Sequence, residues 1–461
     1  MKEIISEILA KVRVKGSFLR NISYTFVSNI IVFIAGLLFY PLQTAFFSPE
    51  AYAQYSMAVL ILNNLLVFSR MGYSEALILT KNDQDYFKLM SALTHLSFIV
   101  TGISLIAFIG LEDFYWAKFD TEKFSWIYVV FPLVILSGLQ NAYGMGNIRF
   151  GLLERRAKVN GMMRLMSKVV VIGLGWIGIN SGLGLIAGNL FFLLSAMFLL
   201  LPFSKIMLFV REFVRFDFKS YKRLLLEHIN FPKYVFPALW VILLTQQFPL
   251  WFIGLSFDEA DLGLYAFAFG VLRVPIDIID KSVRPVFFKK NIDFKNETEE
   301  QVQQSLRKVI KVYYLLLGAY LFFGYWAIEF FYEIIFDEQW YAGKPLMQII
   351  MFGVGITIVS SPMSNVFKVN NKMKLDLSIR VFMLIFLVSL SLIFYQFISG
   401  FIEFALMFSI IYFLGYYIFF LFQLREYKFG VKEIISITIK FALIIASCYL
   451  LTAYVNNQFL S

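Results

Sequence analysis

The chain alternates long apolar runs with short polar breaks. Runs long enough to cross a bilayer lie at about Ser17 to Phe47, Ala51 to Thr80, Tyr86 to Leu111, Phe124 to Ile148, Val159 to Ile179 and Leu183 to Lys205. After a break rich in lysine and arginine they resume at about Phe231 to Ser256, Leu262 to Lys289, Val309 to Phe336, Tyr341 to Phe367, Leu375 to Phe397, Phe401 to Gln423 and Ile434 to Tyr454. A hydrocarbon core about 30 Å thick takes roughly 20 apolar residues in helical form. The pattern therefore predicts an all-α polytopic membrane protein with about 13 transmembrane helices, in a range of about 12 to 14. Ahead of the first run, Ile4, Ile5, Ile8, Leu9 and Val12 mark one side of an amphipathic helix in residues 1–16. That helix is expected to lie on the membrane surface, not to act as a signal peptide.

Composition sharpens the picture. The chain is 59% hydrophobic and 19% aromatic, with a mean hydropathy of +0.73, more than a soluble core of 461 residues requires. A net charge of +10 suits nucleic acid or a membrane surface, and position separates the two. Nearly all of the 41 lysines and arginines fall in alternate connections, while the opposite side has Lys118, Lys123 and Lys344. Only Arg70, Arg273 and Lys440 are left inside runs. This is the positive-inside pattern: the amino terminus and the basic connections are expected in the cytoplasm, Ser461 outside, and no nucleic acid as partner. One cysteine, Cys448, and two distant histidines, His95 and His228, exclude a disulfide and any metal cluster. Ala342-Gly343-Lys344-Pro345 lacks the glycine-rich approach and hydroxyl of a phosphate loop, so no ATP site is expected. Asp83-Gln84-Asp85 fills a tight turn and is expected to cap the third span.

Charge inside the apolar runs is concentrated from Leu262 to Lys290. Arg273, Asp277, Asp280 and Arg284 are spaced by four, three and four residues and share one face of a helix. A charge at mid-bilayer costs about 2.5–3.5 kcal/mol on insertion scales, so that face is expected to turn toward a solvated interior. Arg273 lies near the middle of the span. Its planar fork suits a phosphate group; an ion pair with Asp277 is the structural alternative. Asp277 and Asp280 are candidates for H⁺ or Na⁺ coupling, and Pro275 for a hinge. Arg70 either snorkels to the interface or lines the mouth of the interior. Amides such as Asn64, Gln140 and Asn141, and rings such as Tyr24 and Trp240, could meet sugars or could simply bond helix to helix.

The chain also repeats. Pro49-Glu50-Ala51-Tyr52-Ala53-Gln54-Tyr55-Ser56 is echoed by Asp258-Glu259-Ala260-Asp261-Leu262-Gly263-Leu264-Tyr265-Ala266, and Arg155-Arg156-Ala157-Lys158 by Asn371-Lys372-Met373-Lys374. Six spans separate the copies, so both halves point the same way and the symmetry axis runs along the membrane normal. The expected organisation is an amphipathic segment (1–16), a six-helix bundle (17–205), a basic cytoplasmic linker (206–230), a second six-helix bundle (231–424) and an extra helix (425–461), with the two pseudo-symmetric bundles around a central cavity.

The Pro-Glu-x-Tyr-x-x-Tyr-Ser stretch after the first span, Arg20 near the start of that span, and the basic turn after the fourth resemble the Wzx-type polysaccharide-unit flippases. These belong to the multidrug/oligosaccharidyl-lipid/polysaccharide (MOP) exporter superfamily. Ala53 stands where that family usually has glycine, and the odd span count departs from its even one. The resemblance implies a MATE-like fold with a cationic cavity. It also implies a non-enzymatic role: moving undecaprenyl-diphosphate-linked oligosaccharides, of O-antigen (lipopolysaccharide) or capsule type, across a bacterial inner membrane by alternating access. Arg273, Arg70, Arg20 and Arg284 are then the candidate diphosphate ligands. The partners implied are the lipid-linked oligosaccharide, membrane lipids and a polysaccharide polymerase, with no cofactor beyond a coupling ion. Two other readings stay open: a multidrug or cation antiporter of the same fold, which calls for an acidic cavity, and a membrane polysaccharide polymerase, which calls for a larger outer loop than any visible here.

Overall fold

Ser48 starts the first fully described helix. Its hydroxyl accepts the amide of Ala51, Pro49 occupies the first turn where no amide is needed, and Glu50 faces the positive end of the helix dipole. The computed structural model describes residues 36, 38–110, 125–294, 298–370, 372–398 and 400–459; at 125, 281–293, 368, 444 and 448–459 it describes backbone alone. The amphipathic segment 1–16, Arg20, Tyr24 and most of the first span therefore lie outside the described residues.

All regular structure among the described residues is helical. The end of the first span is α1 (38–46). Then follow α2 (Pro49–Arg70), α3 (Asp83–Gly110), α4 (Val130–Arg149), α5 (Leu153–Trp176) and α6 (Gly182–Leu200). The basic break folds into two shorter helices, α7 (Phe203–Arg215) and α8 (Phe218–Glu227). A π-helical turn, Phe231–Val235, leads into α9 (Phe236–Ser256). After it come α10 (Glu259–Asp293), α11 (Glu299–Ile335), α12 (Gly343–Gly355), α13 (Thr357–Met363), α14 (Met373–Tyr395), α15 (Phe401–Glu426) and α16 (Val431–Phe459). Ten helical stretches among the described residues are long and apolar enough to cross a membrane. Helix α5 falls short of that hydropathy because of its charges, yet its 24 residues reach about 36 Å.

Two expectations need correction. The residue that caps α3 is Asn82, whose side chain accepts the Asp85 amide at 2.7 Å. Asp83 and Asp85 serve ion pairs instead: Asp83 to Arg149 and Lys205, Asp85 to Arg223. The basic turn after the fourth span is also shorter than its charges suggest. Helix α5 begins at Leu153, so Arg155, Arg156, Lys158, Arg164 and Lys168 all ride on it. The cations interrupt the apolar run without interrupting the helix.

The chain divides into two compact units, Met1–Leu243 and Leu244–Ser461, with the division inside α9. Within the first unit α4 packs on α2, α3 and α6, and α5 packs on α6. Within the second the same order recurs: α12 packs on α10, α11 and α15, and α14 packs on α15. The repeat read in the sequence is thus a repeat of packing. Close seams depend on small residues; Gly353 of α12 lies against Ser409 of α15, where an added Cβ would stand 2.7 Å from the Ser409 carbonyl oxygen.

Large apolar side chains point outward in both units, Ile103 and Ile106 of α3 and Leu315 and Phe323 of α11 among them. A water-soluble surface does not carry such faces, and lipid does. The protein is a multi-pass membrane protein. Helices α7 and α8 dock on the first unit: Lys88 reaches Asp217 at 3.1 Å, Lys81 reaches Glu227 at 2.7 Å, and His95 of α3 stacks on Phe213 of α7. The other face of α7 exposes Phe203, Met207, Val210 and Val214, an interfacial pattern.

Candidate functional site

In the second unit the charged face read from the sequence is carried by one unbroken helix. Helix α10 runs 35 residues through Pro275, so Arg273, Asp277, Asp280 and Arg284 keep their helical register. Arg273 Nε lies 3.5 Å from Asp277 Oδ1, beyond the usual range of such bonds. The side chains are 29% and 43% exposed, so this is a loose, solvated pair worth at most about 1 kcal/mol. Arg273 is thus neither sealed between helices nor tightly neutralised. Its guanidinium stands 5.7 Å from the centre of the Phe269 ring, with Tyr412 and Tyr416 of α15 as electrostatic neighbours. Asp280 lies one turn beyond Asp277 and interacts with Tyr313 of α11. The Arg284 side chain lies outside the described residues, as does Arg20.

The opposite face of α15 borders an apolar cavity of about 850 Å³, walled also by α11, α12 and α16. Leu406, Ile410 and Leu414 recur every four residues along this wall and are exposed, so the cavity opens on the apolar outer surface of the unit. Helix α15 therefore presents hydroxyl-bearing rings to a cation on one side and an alkane-like wall on the other.

In the first unit, Arg70 is the last residue of α2. Met71 and Gly72 follow with φ of 44° and 76°, a left-handed stop. Gly72 also abuts the backbone of Phe231 and Phe236, so a side chain there has neither room nor a relaxed φ. Arg70 is 4% exposed, and none of its three guanidinium nitrogens has a hydrogen-bond partner among the described residues. The guanidinium lies directly over Gly138 of α4, where an added Cβ would stand 2.1 Å from Nη2 and push the side chain aside. A buried guanidinium without hydrogen-bond partners is costly.

The sequence reading missed the cations of α5. Arg156, Asn160, Arg164 and Lys168 succeed one another every four residues and line one face. Lys168 Nζ donates to Gln43 Oε1 at 3.0 Å and lies 5.1 Å from the centre of the Tyr40 ring. Arg164 is exposed although it stands about 16 Å along the helix, and it lies 5.0 Å from the centre of the Phe192 ring. The Pro-Glu-x-Tyr-x-x-Tyr-Ser stretch furnishes polar neighbours here: Tyr52 reaches Gln43, and Tyr55 Oη accepts from Asn189 at 3.0 Å. The available signal was the four-residue spacing of Arg156, Asn160, Arg164 and Lys168. Two of the amide pairs join helix to helix, Trp240 donating to Asn64 and Gln140 to Asn160.

Comparison with known proteins places this architecture. No curated protein sequence matches significantly. Among solved structures, the lipid II flippase MurJ in an inward closed conformation is similar with a TM-score of 0.66 at 15% identity, over 93% of this chain and 91% of that one. A multidrug resistance MATE family transporter of the MOP superfamily, inward-facing, is similar with a TM-score of 0.62 at 12% identity, over 91% and 97%. A MOP superfamily transporter from Pyrococcus furiosus reaches 0.56 at 13% identity, over 90% and 97%. At these identities the likeness establishes the fold. Residues 44–345 match the polysaccharide biosynthesis protein family, which covers more than half of the chain and agrees with the flippase resemblance of its motifs, and the protein belongs to that family.

Proposed function

We propose that the protein is a flippase that carries polyprenyl-diphosphate-linked oligosaccharides, of O-antigen or capsule type, from the cytoplasmic to the outer leaflet of a bacterial inner membrane. The observation that carries this reading is Arg273, a solvated cation on a membrane helix, held by a carboxylate only loosely. An arriving diphosphate offers paired, charge-assisted bonds that outcompete a 3.5 Å contact, and return of Arg273 to Asp277 releases it again. Arg70, buried and unsatisfied, is a second diphosphate ligand; Arg284 and Arg20 extend the set. The apolar cavity beside α15 suits a prenyl chain, so head and tail find different surfaces within one unit. Asp277 and Asp280 are the coupling groups, Pro275 the hinge, and no covalent chemistry is required.

The likeness to a MATE transporter favours a second reading, multidrug antiport, which calls for an acidic site. The cations Arg273, Arg70, Arg164 and Lys168 weigh against it. In a strain lacking the gene, Arg273→Ala is expected to insert normally but to abolish surface polysaccharide and leave lipid-linked units on the inner leaflet. Normal polymer from a stable Arg273→Ala protein overturns the proposal. Export of single, unpolymerised units by the deletion strain points to a polymerase.

A further inference from the structure

In the second unit, α16 packs along α11. It meets α15 on the side of the turn that joins them, where Tyr417 Oη donates to Thr438 Oγ1 at 2.6 Å and Phe441 stacks on Tyr417 with ring centres 5.3 Å apart. Beyond that bridge, α15 and α16 are two walls of the apolar cavity, which is therefore a slot closed at one end. Along α15 it runs from Tyr417 to Leu406, about 16 Å, half of a hydrocarbon core about 30 Å thick. An apolar slot open to lipid fills with a chain, because its walls otherwise lose their dispersion contacts. Entry of the chain is by itself unselective, since lipid tails are as apolar as the leucines they meet.

Selectivity lies at the other end of the slot. There Pro345 and Gln348 belong to the wall, and Gln348 Nε2 donates to Glu329 Oε2 at 2.7 Å. Lys344 Nζ lies 3.1 Å from Glu329 Oε1 and 3.0 Å from Glu333 Oε1, and the Glu333 side chain remains 54% exposed. From Glu329 to Lys344 the sequence sets four carboxylates, Glu329, Glu333, Asp337 and Glu338, against this one cation. The asymmetry of lysine and arginine predicts that this end is the outer one. A headgroup carrying only a phosphate is repelled by such a mouth. One that adds a primary ammonium is complementary to it, with the ammonium on Glu333 and the phosphate on Lys344.

We propose that the slot, with Lys344, Glu329 and Glu333 at its mouth, is a site for a zwitterionic phospholipid bearing a primary amine, held in the outer leaflet with one acyl chain between α15 and α16. This goes beyond the flippase reading, in which the prenyl chain takes that lipid's place during transport.

The test titrates the delipidated full-length protein in detergent with dioleoyl phosphatidylethanolamine, phosphatidylcholine or phosphatidylglycerol and reads the bound lipid by native mass spectrometry. The three probes share their chains and differ only in the headgroup. Wild type is expected to bind phosphatidylethanolamine roughly tenfold more tightly than either of the others. Glu333→Gln is expected to bring it down to the level of phosphatidylcholine. Ala442→Trp, which fills the slot from the α16 wall, is expected to lose the preferred site altogether. Equal binding of the three lipids by wild type overturns this inference. So does a preference that survives Glu333→Gln, because the amine is then bound elsewhere, or one that survives Ala442→Trp, because the chain then does not use the slot. Each of these failures leaves the flippase reading standing, since surface polysaccharide in Arg273→Ala cells tests that reading separately.

Discussion

At the scale of single residues, the groups that matter are cations whose electrostatic needs the fold leaves open to different degrees. Arg273 is partly met by Asp277. Lys168 is met by neutral oxygen and a ring. Arg70 has Tyr86 as an electrostatic neighbour but no hydrogen-bond partner among the described residues. The last case gives a prediction that separates function from stability. A buried charge without a partner carries a desolvation penalty of several kcal/mol that an apolar side chain of similar length does not. Arg70→Met is therefore expected to raise the thermal midpoint of the purified protein and to lower export of surface polysaccharide. A fall in both would mean that Arg70 holds the first unit together. Arg70 was legible in the sequence as a charge at the end of a span, but Gly138, the residue that makes room for it, was not. A glycine 68 positions away becomes relevant only when two helices cross.

At the scale of helices, contacts decide which parts move together. The linker helices α7 and α8 are fastened to the first unit through Lys88–Asp217, Lys81–Glu227, Arg223–Asp85 and the Tyr73 hydroxyl on the Leu225 carbonyl. Asp217 is held well below the usual carboxylate range, first by the Ser220 hydroxyl and amide and then by Lys88. A depressed carboxylate contributes above its unfolded pKa of about 3.9, and the contribution is lost as pH falls through its folded value. Amide-exchange protection of Phe218–Glu227, corrected for intrinsic rates, is thus expected to stay flat from about pH 8 to 5 and to weaken only below about pH 4. A loss near neutrality would show that another group controls the clamp. In the second unit the α12–α15 seam has no room for a methyl group at Gly353, where backbone would have to shift. Gly353→Ala is expected to cost about 1–3 kcal/mol, read as a lowered thermal midpoint. Sequence repetition foretold two halves built alike, and the packing orders of α4 and α12 match. The linker was legible as basic and polar; its fold into two docked helices depended on partners in α3 that periodicity cannot name.

At the scale of the whole molecule, the asymmetry of lysine and arginine predicts that the basic connections lie in the cytoplasm. In a Cys448→Ser background, a cysteine at Gln339 is expected to react with an impermeant thiol reagent added to intact cells, and one at Asp217 is not. The reverse result would invert the topology and the direction of transport. The length of the apolar runs determined that this chain is helical and spans a membrane many times, because about 20 consecutive apolar residues suit a spanning helix and not the shorter strands of a barrel, and matching motifs in the two halves showed that it repeats itself. The charged face of α10 was equally readable, since register along one helix is set by its own residues. Tertiary structure alone decided which cations are answered. Arg273 has a carboxylate on its own helix, whereas the surroundings of Arg70 and Lys168 come from Gly138, Gln43 and Tyr40, brought from other helices by packing. A counter-charge acts through distance in space, and distance in space between helices is written only in the folded chain.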